Sequence, residues 1–268
     1  MPLEVVKKTV QYTTQLAKNY FRLPLRHHYK SRFLQLNKNR LREIYCTDTF
    51  FSSVPALKTN ATCIQIFVGR ESMYTRVYPM TSESEGPTTM LETFIADVGA
   101  PYMMKSDNAQ METSRVWKNI LRKYNINIQN TEPYHPNQNY AECRIQEVKK
   151  IAYRIMDHTN TPDSLWVYST KYAVDLLNHT ATKRLKWKTP LKKAFGITPD
   201  ISALLQFSFY EPIYLYENNK SPDSTELPGR FLGLADSVGD TLTYYVLTAQ
   251  NTVVARSVLR SAMDLKKC

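Results

Sequence analysis

Three acidic residues, Asp48, Asp107 and Glu142, lie in local sequences that could bring carboxylates together for chemistry. Asp48 stands in TDTF, Asp107 stands in KSDNA, and Glu142 follows NQNYA, with thirty-four residues between the last two acids. Three carboxylates on three different elements could converge at one site. Spacing alone is weak evidence, because a chain with 24 acidic residues contains such triples by chance. The elements that would position the acids therefore decide the interpretation.

Segments rich in β-branched and aromatic residues, separated by helical patterns, predict a mixed α/β sheet around these acids. The predicted order is three strands, a helix, a strand, a helix and a strand, over residues 43–52, 61–68, 73–80, 82–98, 102–105, 113–124 and 126–130. Asp48 then lies near the end of the first strand, and Asp107 lies just after the fourth. Further helices are predicted over 140–158 and 164–180, after a polar loop.

The helix predicted over 140–158 presents an acid and a base on one side. At about 100° per residue, Glu142, Gln146, Lys149 and Tyr153 share one face. A separate apolar stripe would pack against the core and consists of Ile145, Val148, Ala152, Ile155 and Met156. A solvated residue near a helix N-terminus is the alternative interpretation of Glu142. For Asp107 the alternative is a residue that caps a turn or a helix.

The two ends of the chain differ from this centre. Residues 1–42 are basic and free of glycine, and we expect an N-terminal arm there, with a helix predicted over 4–20. Short apolar segments separated by Pro, Gly, Asn and Asp predict a small all-β module over residues 207–216, 229–235, 241–248 and 252–260. The predicted division of the chain is therefore an arm over 1–42, a core over 43–200 and a β module over 201–268.

The charge of the chain is concentrated in two patches. The 268 residues include 35 basic and 24 acidic ones, which gives a formal net charge of +11. Residues 1–42 carry +9 and residues 176–199 carry +6, whereas 43–175 and 200–268 carry −2 each. Two cationic patches predict a polyanionic partner such as nucleic acid. A solvated charged surface is the alternative interpretation of either patch alone.

Several function classes are disfavoured by what the sequence lacks. No run of about 18 apolar residues occurs, and no secretory leader pattern begins the chain, so we expect an intracellular protein without a membrane span. The sequence contains neither GxGxxG nor GxxxxGK, so no nucleotide cofactor is expected. No CxxC pair is present, which predicts reduced thiols in packed positions for the four cysteines, Cys46, Cys63, Cys143 and Cys268.

Longer sequence motifs around the acids resemble a known family. SDNA at Asp107 precedes a predicted helix, TEPYHPNQNYAE leads to Glu142, and KTPLKKAFG, TPDIS, FYEPIYLY and PGRFLG follow. This combination resembles the integrase of Copia-type LTR retrotransposons, within the wider superfamily of Asp/Asp/Glu integrases and transposases. The resemblance covers roughly residues 43–260, and its specificity lies in the combined motifs rather than in any one of them.

The resemblance implies a ribonuclease H-like fold and metal-dependent DNA strand transfer, which inserts element DNA into target DNA. Asp48, Asp107 and Glu142 would hold two Mg²⁺ or Mn²⁺ ions, because hard cations prefer oxygen ligands. Two such ions would activate the attacking oxygen and neutralise charge on the leaving oxygen. The implied partners are the element ends, target DNA and further copies of the chain. The implied location is the nucleus, preceded by a cytoplasmic particle.

The resemblance also implies contacts to DNA. Gln138 and Asn139 lie in the polar loop where similar integrases contact DNA, and Lys149 matches a basic contact to terminal phosphates. His135 is a weaker candidate in the same loop. Ordinary loop and helix residues are the alternative interpretation of all four. The second cationic patch contributes Lys183, Arg184, Lys186 and Lys188 as further candidates for phosphate binding.

The sequence also departs from the family. Asn108 and Tyr140 stand where relatives commonly have small or basic residues, and no His/His/Cys/Cys zinc domain precedes the core in this sequence. These departures keep open a second interpretation, a catalytically inactive nucleic-acid-binding remnant of a retrotransposon polyprotein. A third, a nuclease acting on RNA–DNA hybrids, has only the fold in its favour.

Overall fold

The computed structural model describes residues 1–16, 31–82, 86–106, 114–130, 140–216, 226–235, 238 and 242–263. The strands within these segments are β1 (Arg40–Phe51), β2 (Cys63–Gly69), β3 (Thr75–Met80), β4 (Ala100–Ser106), β5 (Asn127–Asn130), β6 (Pro212–Tyr216), β7 (Glu226–Leu234), β8 (Tyr244–Thr248), β9 (Val253–Arg256) and β10 (Leu259–Ser261). The α-helices are α1 (Leu3–Tyr12), α2 (Gly86–Asp97), α3 (Arg115–Lys123), α4 (Tyr140–Thr159), α5 (Trp166–His179), α6 (Pro190–Phe195) and α7 (Ser202–Gln206). None of these helices is long and apolar enough to cross a membrane.

The first five strands form one mixed sheet in the order β3-β2-β1-β4-β5. β1 pairs antiparallel with β2 and parallel with β4, and β4 pairs parallel with β5. Helix α2 connects β3 to β4, and α3 connects β4 to β5, so the parallel strands have the helical connections that they require. This is the sheet of a ribonuclease H-like fold, and together with a second, all-antiparallel sheet it confirms the predicted fold class.

Side chains alternate across the first sheet and build a core on each face. On one face Tyr45 lies 5.1 Å from Phe94 of α2, measured between ring centroids, and Phe94 stacks on Phe67 at 4.5 Å. Trp117 of α3 is fully buried in the same cluster. The next residue of β1, Cys46, belongs to the cluster on the opposite face, as the two-residue repeat of a strand requires.

Helices α4 and α5 cover that opposite face. Ile145 and Val148 of α4 are buried against Cys46 and Phe50 of β1, and Val174 of α5 joins the same cluster. The apolar stripe predicted for the helix over 140–158 is thus the stripe that packs, since Ala152 and Met156 are also buried. Helix α4 consequently lies over β1, the strand that carries Asp48.

The second sheet is antiparallel throughout, in the order β10-β6-β7-β8-β9. The segment predicted over 252–260 is two strands rather than one, because the chain bends between β9 and β10. Tyr172 of α5 packs in the core of this sheet with Phe209 and Phe231. Gly233 has φ +119°, and a Cβ there would lie 3.4 Å from the Tyr172 ring, so glycine permits the close approach. Division of the chain near residue 200 stays a prediction.

The N-terminal segment contacts the core through Thr9, whose hydroxyl accepts from the amide of Ala181 at 3.0 Å, and through the residues after α1. Helix α1 ends at Tyr12, and Thr14 then pairs with Asp200: its amide donates to the carbonyl of Pro199 at 2.9 Å, and its carbonyl accepts from Ile201 at 2.9 Å. The amide of Leu16 donates to the carboxylate of Asp200 at 2.7 Å. The helix predicted over 4–20 is therefore shorter at its end, because Thr13 adopts an extended conformation.

Buried His179 gives the fold a testable pH dependence. Burial lowers the pKa of His179 to about 4, although its Nδ1, 2.6 Å from the carbonyl oxygen of Asp175, opposes the shift. A lowered folded-state pKa means that the unfolded chain binds the proton first, so stability falls as pH drops from about 6.5 towards 4. Between pH 8 and pH 5 we expect the free energy of unfolding to fall by about 2 kcal/mol less in His179→Gln than in the wild type.

Urea unfolding at the two pH values measures this difference. The matched control is His158→Gln, because His158 is an exposed residue of α4. An equal loss between pH 8 and pH 5 in the wild type and in both variants would show that His179 does not contribute.

Candidate metal and nucleic-acid site

Asp48 lies on the face of β1 that is covered by α4. Cys46 and Phe50, two residues before and after it, both pack in the cluster that contains Ala141 and Ile145 of α4. Since alternate residues of a strand share a face, the Asp48 carboxylate is on the same side as these contacts. The side chain is half-buried, and its Oδ1 accepts a hydrogen bond of 2.8 Å from the amide of Thr49.

Glu142 lies in the first turn of α4, the helix that packs on β1. Burial raises the pKa of the Cys46 thiol, and the nearby charges of Lys105 and Arg70 and the backbone of Tyr140, the first residue of α4, oppose that shift. Glu142 follows two residues later and is half-buried. A carboxylate in the first helical turn is favoured by the helix dipole. Asp48 and Glu142 therefore sit on two directly packed elements.

The third predicted acid, Asp107, lies outside the described residues. Strand β4 is described as far as Ser106, which is buried. Lys105 of β4 is the parallel partner of Cys46. Asp48 follows Cys46 by two residues, as Asp107 follows Lys105. Gln138, Asn139 and His135 also lie outside the described residues, as does Asn108.

No metal-binding cluster is visible in the described part of the chain. Among those residues, no group of three His, Cys, Asp or Glu side chains is close enough to hold an ion. Two members of the predicted triad, Asp48 and Glu142, are described, and both offer half-buried carboxylates. Carboxylate oxygens are the ligands that suit Mg²⁺ and Mn²⁺, so this donor set fits the implied metal in kind.

Lys149 lies on α4 beside the same strand. Its Nζ is 4.9 Å from the centroid of the Phe50 ring, and Phe50 is two residues from Asp48 on the same face of β1. The side chain is half-buried, which suits a cation held against an aromatic face. The helix thus presents Lys149 towards the strand that carries Asp48, while Gln146 and Tyr153 are exposed.

The second cationic patch reaches the start of α4. A short 3₁₀ helix, Lys183–Leu185, carries Arg184, whose guanidinium lies 5.0 Å from the Tyr140 ring centroid and donates to the Tyr140 hydroxyl at 3.2 Å. Tyr140 thereby connects the patch to the helix that carries Glu142. Lys183, Lys186 and Lys188 are exposed.

Sequence analysis missed Arg144, a buried cation two residues after Glu142. Its side chain is 3% exposed, and its Nε donates to the hydroxyl of Thr75 at 2.9 Å. The guanidinium also donates to the carbonyl of Met73 at 3.2 Å and to Glu147 at 2.7 Å. These bonds attach α4 to the turn before β3. The only sequence signal was its position between Ala141 and Ile145, on the side that packs.

The strand order defines an α/β protein of the ribonuclease H-like class, with Asp48 on its central strand and Glu142 on a helix packed against that strand. The sequence is 24% identical over 200 residues to the "Retrovirus-related Pol polyprotein from transposon RE1" of Arabidopsis thaliana. That match covers 71% of this chain but only 13% of the relative. The chain is thus similar to part of a retrotransposon Pol polyprotein. No protein-family model matches the sequence.

Two solved structures show a weaker likeness. One is the simian T-cell lymphotropic virus intasome in complex with the PP2A regulatory subunit B56 gamma, at 14% identity and a TM-score of 0.46, covering 84% of this chain and 83% of that one. The other is the HTLV-2 integrase catalytic core domain in complex with magnesium, at 17% identity and a TM-score of 0.46, covering 57% of this chain and 97% of that one. The fold class rests on the strand order of the chain itself.

Proposed function

We propose that this chain is the integrase core of a Copia-type LTR retrotransposon and catalyses metal-dependent DNA strand transfer. The observation that carries the proposal is the packing of α4 on β1, which puts Glu142 and Asp48 on adjoining elements. The similarity to a retrotransposon Pol polyprotein over 200 residues supports the same function. In the reaction a DNA 3′-hydroxyl attacks a phosphodiester of target DNA, which forms a new P–O bond, breaks the target's own 3′-oxygen–phosphorus bond and releases a target 3′-hydroxyl.

Asp48 and Glu142, with Asp107, are the residues that would hold divalent metal. Two Mg²⁺ or Mn²⁺ ions would supply charge neutralisation at the attacking and leaving oxygens. The protein contributes carboxylates on the central strand of the sheet and on a helix packed against that strand, so both are held by rigid elements. Without positive charge these acids would repel the reacting phosphodiester, so the metal would let that one phosphate approach them, while cations of the protein hold the rest of the DNA.

Basic and polar residues around the acids would hold the DNA. Lys149 is available for a terminal phosphate, since α4 presents it towards β1. Gln138 and Asn139, which precede α4 in the sequence, are assigned contacts near the reacting end. Lys183, Arg184, Lys186 and Lys188 are assigned to the phosphate backbone. DNA integration also requires two element ends at one target, so we assign a homo-oligomer as the active form and the nucleus as its place of action.

A strand-transfer assay tests the proposal. The chain is incubated with a duplex carrying a free 3′-hydroxyl end and a plasmid target, with Mg²⁺ or Mn²⁺, in parallel with Asp107→Asn. We expect joined product from the unaltered chain only, and none with EDTA. Equal joining by both proteins, or no joining under any condition, contradicts the catalytic assignment. DNA binding that is salt-sensitive and metal-independent, without joining, would instead identify a binding remnant.

A further inference from the structure

Cations from both patches of the sequence line two adjoining cavities, which together form one groove. A cleft of about 450 Å³ is lined by Arg70, Arg184, Lys186, Lys188 and Lys193, with Glu71 as the acidic member of its lining. A second cavity of about 300 Å³ shares Glu71 and Lys193 with the first and adds Arg40 and Arg42. Residues distant in sequence thus line two adjoining cavities, and cations outnumber carboxylates in the lining.

The turn between β2 and β3 fixes the position of Arg70. The Arg70 amide donates to the carbonyl of Ile44 at 2.9 Å. The Glu43 carboxylate accepts from the amides of Glu71 and Ser72, at 3.0 and 2.9 Å, and from the Ser72 hydroxyl at 2.6 Å. Glu43 also lines the second cavity, but its oxygens are engaged by this turn. The backbone that carries Arg70 is therefore held in place at the groove.

A closed loop over residues 182–188 carries Arg184, Lys186 and Lys188, whereas Lys193 lies on α6. Lys186 and Trp187 both have positive φ, 54° and 63°, a conformation that side chains disfavour. The loop is closed by hydrogen bonds from the Trp187 amide to the carbonyl of Thr182 at 2.9 Å and from the Thr182 amide to the carbonyl of Lys188 at 3.3 Å. Buried Leu185 anchors it to the core. Arg184 is fixed separately by Tyr140.

The groove lies apart from the carboxylate site but on the same strand. Arg70 is level with Ile44 of β1, and Asp48 follows Ile44 by four residues. Four residues of a strand span roughly 13 Å, which corresponds to about four base-pair steps of a duplex. Arg184 connects the groove to Tyr140 at the start of α4. A DNA strand bound in the groove would therefore have a phosphate about four nucleotides away close to Asp48.

We propose that this groove binds the sugar–phosphate backbone of DNA a few nucleotides from the reacting phosphodiester, and that Arg70 and Lys193 are phosphate-binding residues in it. The assignment of the polyanion to DNA rests on the proposed function, whereas the binding of phosphodiesters rests on the groove. Guanidinium groups suit phosphate because they present several donors in a fixed plane. Binding here needs no metal, since the cations of the protein neutralise the backbone.

The dependence of DNA affinity on salt tests the role of Arg70. Fluorescence anisotropy with a 30-base-pair duplex, in EDTA, gives the slope of log affinity against log salt between 50 and 200 mM. We expect Arg70→Gln to reduce the magnitude of this slope by about 0.9, the value for one phosphate. The matched control is Arg154→Gln, an exposed arginine of α4 that lies fourteen residues, or roughly 21 Å along the helix, beyond Tyr140.

Each outcome decides one part of the proposal. Equal slopes for Arg70→Gln and Arg154→Gln, with both variants folded by circular dichroism, overturn the groove as a phosphate site. Stronger competition by poly-glutamate than by DNA overturns the assignment of the partner to nucleic acid and identifies an acidic protein instead. Tighter binding of a matching RNA duplex overturns the assignment to DNA. If Arg70→Gln reduces the slope but the chain joins no DNA with any metal, the groove is supported as a phosphate-binding site and the proposed function is contradicted.

Discussion

Glu142→Gln is expected to reduce DNA strand transfer by about a thousandfold, because it removes one negative ligand without changing the shape of the side chain. Glu142 is half-buried in the first turn of α4, which packs on β1 beside Asp48. The loss should appear in the rate of joining at saturating DNA rather than in the dissociation constant for DNA. Single-turnover joining over a range of Mg²⁺ concentrations measures it.

A control on the same helix separates loss of the metal ligand from loss of charge. Asp157→Asn removes one negative charge from an exposed position near the other end of α4, and we expect it to join DNA at the wild-type rate. Comparable rates for Glu142→Gln and Asp157→Asn would remove Glu142 from the catalytic site. A rate loss in Glu142→Gln that more DNA restores would assign Glu142 to binding instead.

The order of elements was readable from the sequence because the first sheet is built from strongly patterned segments. β1 begins at Arg40, three residues earlier than predicted, and β3 begins at Thr75, two residues later. These ends depend on tertiary contacts: Arg40 pairs with Ala100 of β4, and Thr75 is held by Asn178 of α5, whose side chain bonds both the amide and the carbonyl of Thr75. A strand pattern contains no information about such distant partners.

The groove was less predictable than the acids. The charge of residues 183–193 was visible in the sequence, but Arg70 looked like an ordinary turn residue between two strands. Its significance comes from the pairing of β1 with β2, which places Gly69 opposite Tyr45 and brings the turn to the loop that follows α5. Similarly, Arg144 read as one more charge on an amphipathic helix, since only the fold buries it against Thr75.

Arg144→Met is expected to lower the free energy of unfolding by about 3 kcal/mol. Methionine has a similar length but no donors, so the hydroxyl of Thr75 and the carbonyl of Met73 lose the partner that Arg144 provides in a buried setting. Hydrogen bonds to a charged group contribute about 1.5 to 3 kcal/mol each. The Thr75 hydroxyl still donates to the Met73 carbonyl at 3.0 Å, so the loss comes from the bonds to the guanidinium. Urea unfolding at pH 7 measures the change.

Two further variants identify the cause of that loss. Arg154→Met changes an exposed arginine of the same helix and is expected to alter stability by less than about 0.5 kcal/mol. Arg144→Lys keeps the charge but cannot donate to Thr75, Met73 and Glu147 in the same plane, so it should recover only part of the stability. Because Arg144 joins α4 to the turn before β3 two residues after Glu142, Arg144→Met should also need more Mg²⁺ for half-maximal joining. An unchanged Mg²⁺ requirement, with the stability loss present, would confine Arg144 to holding the fold together.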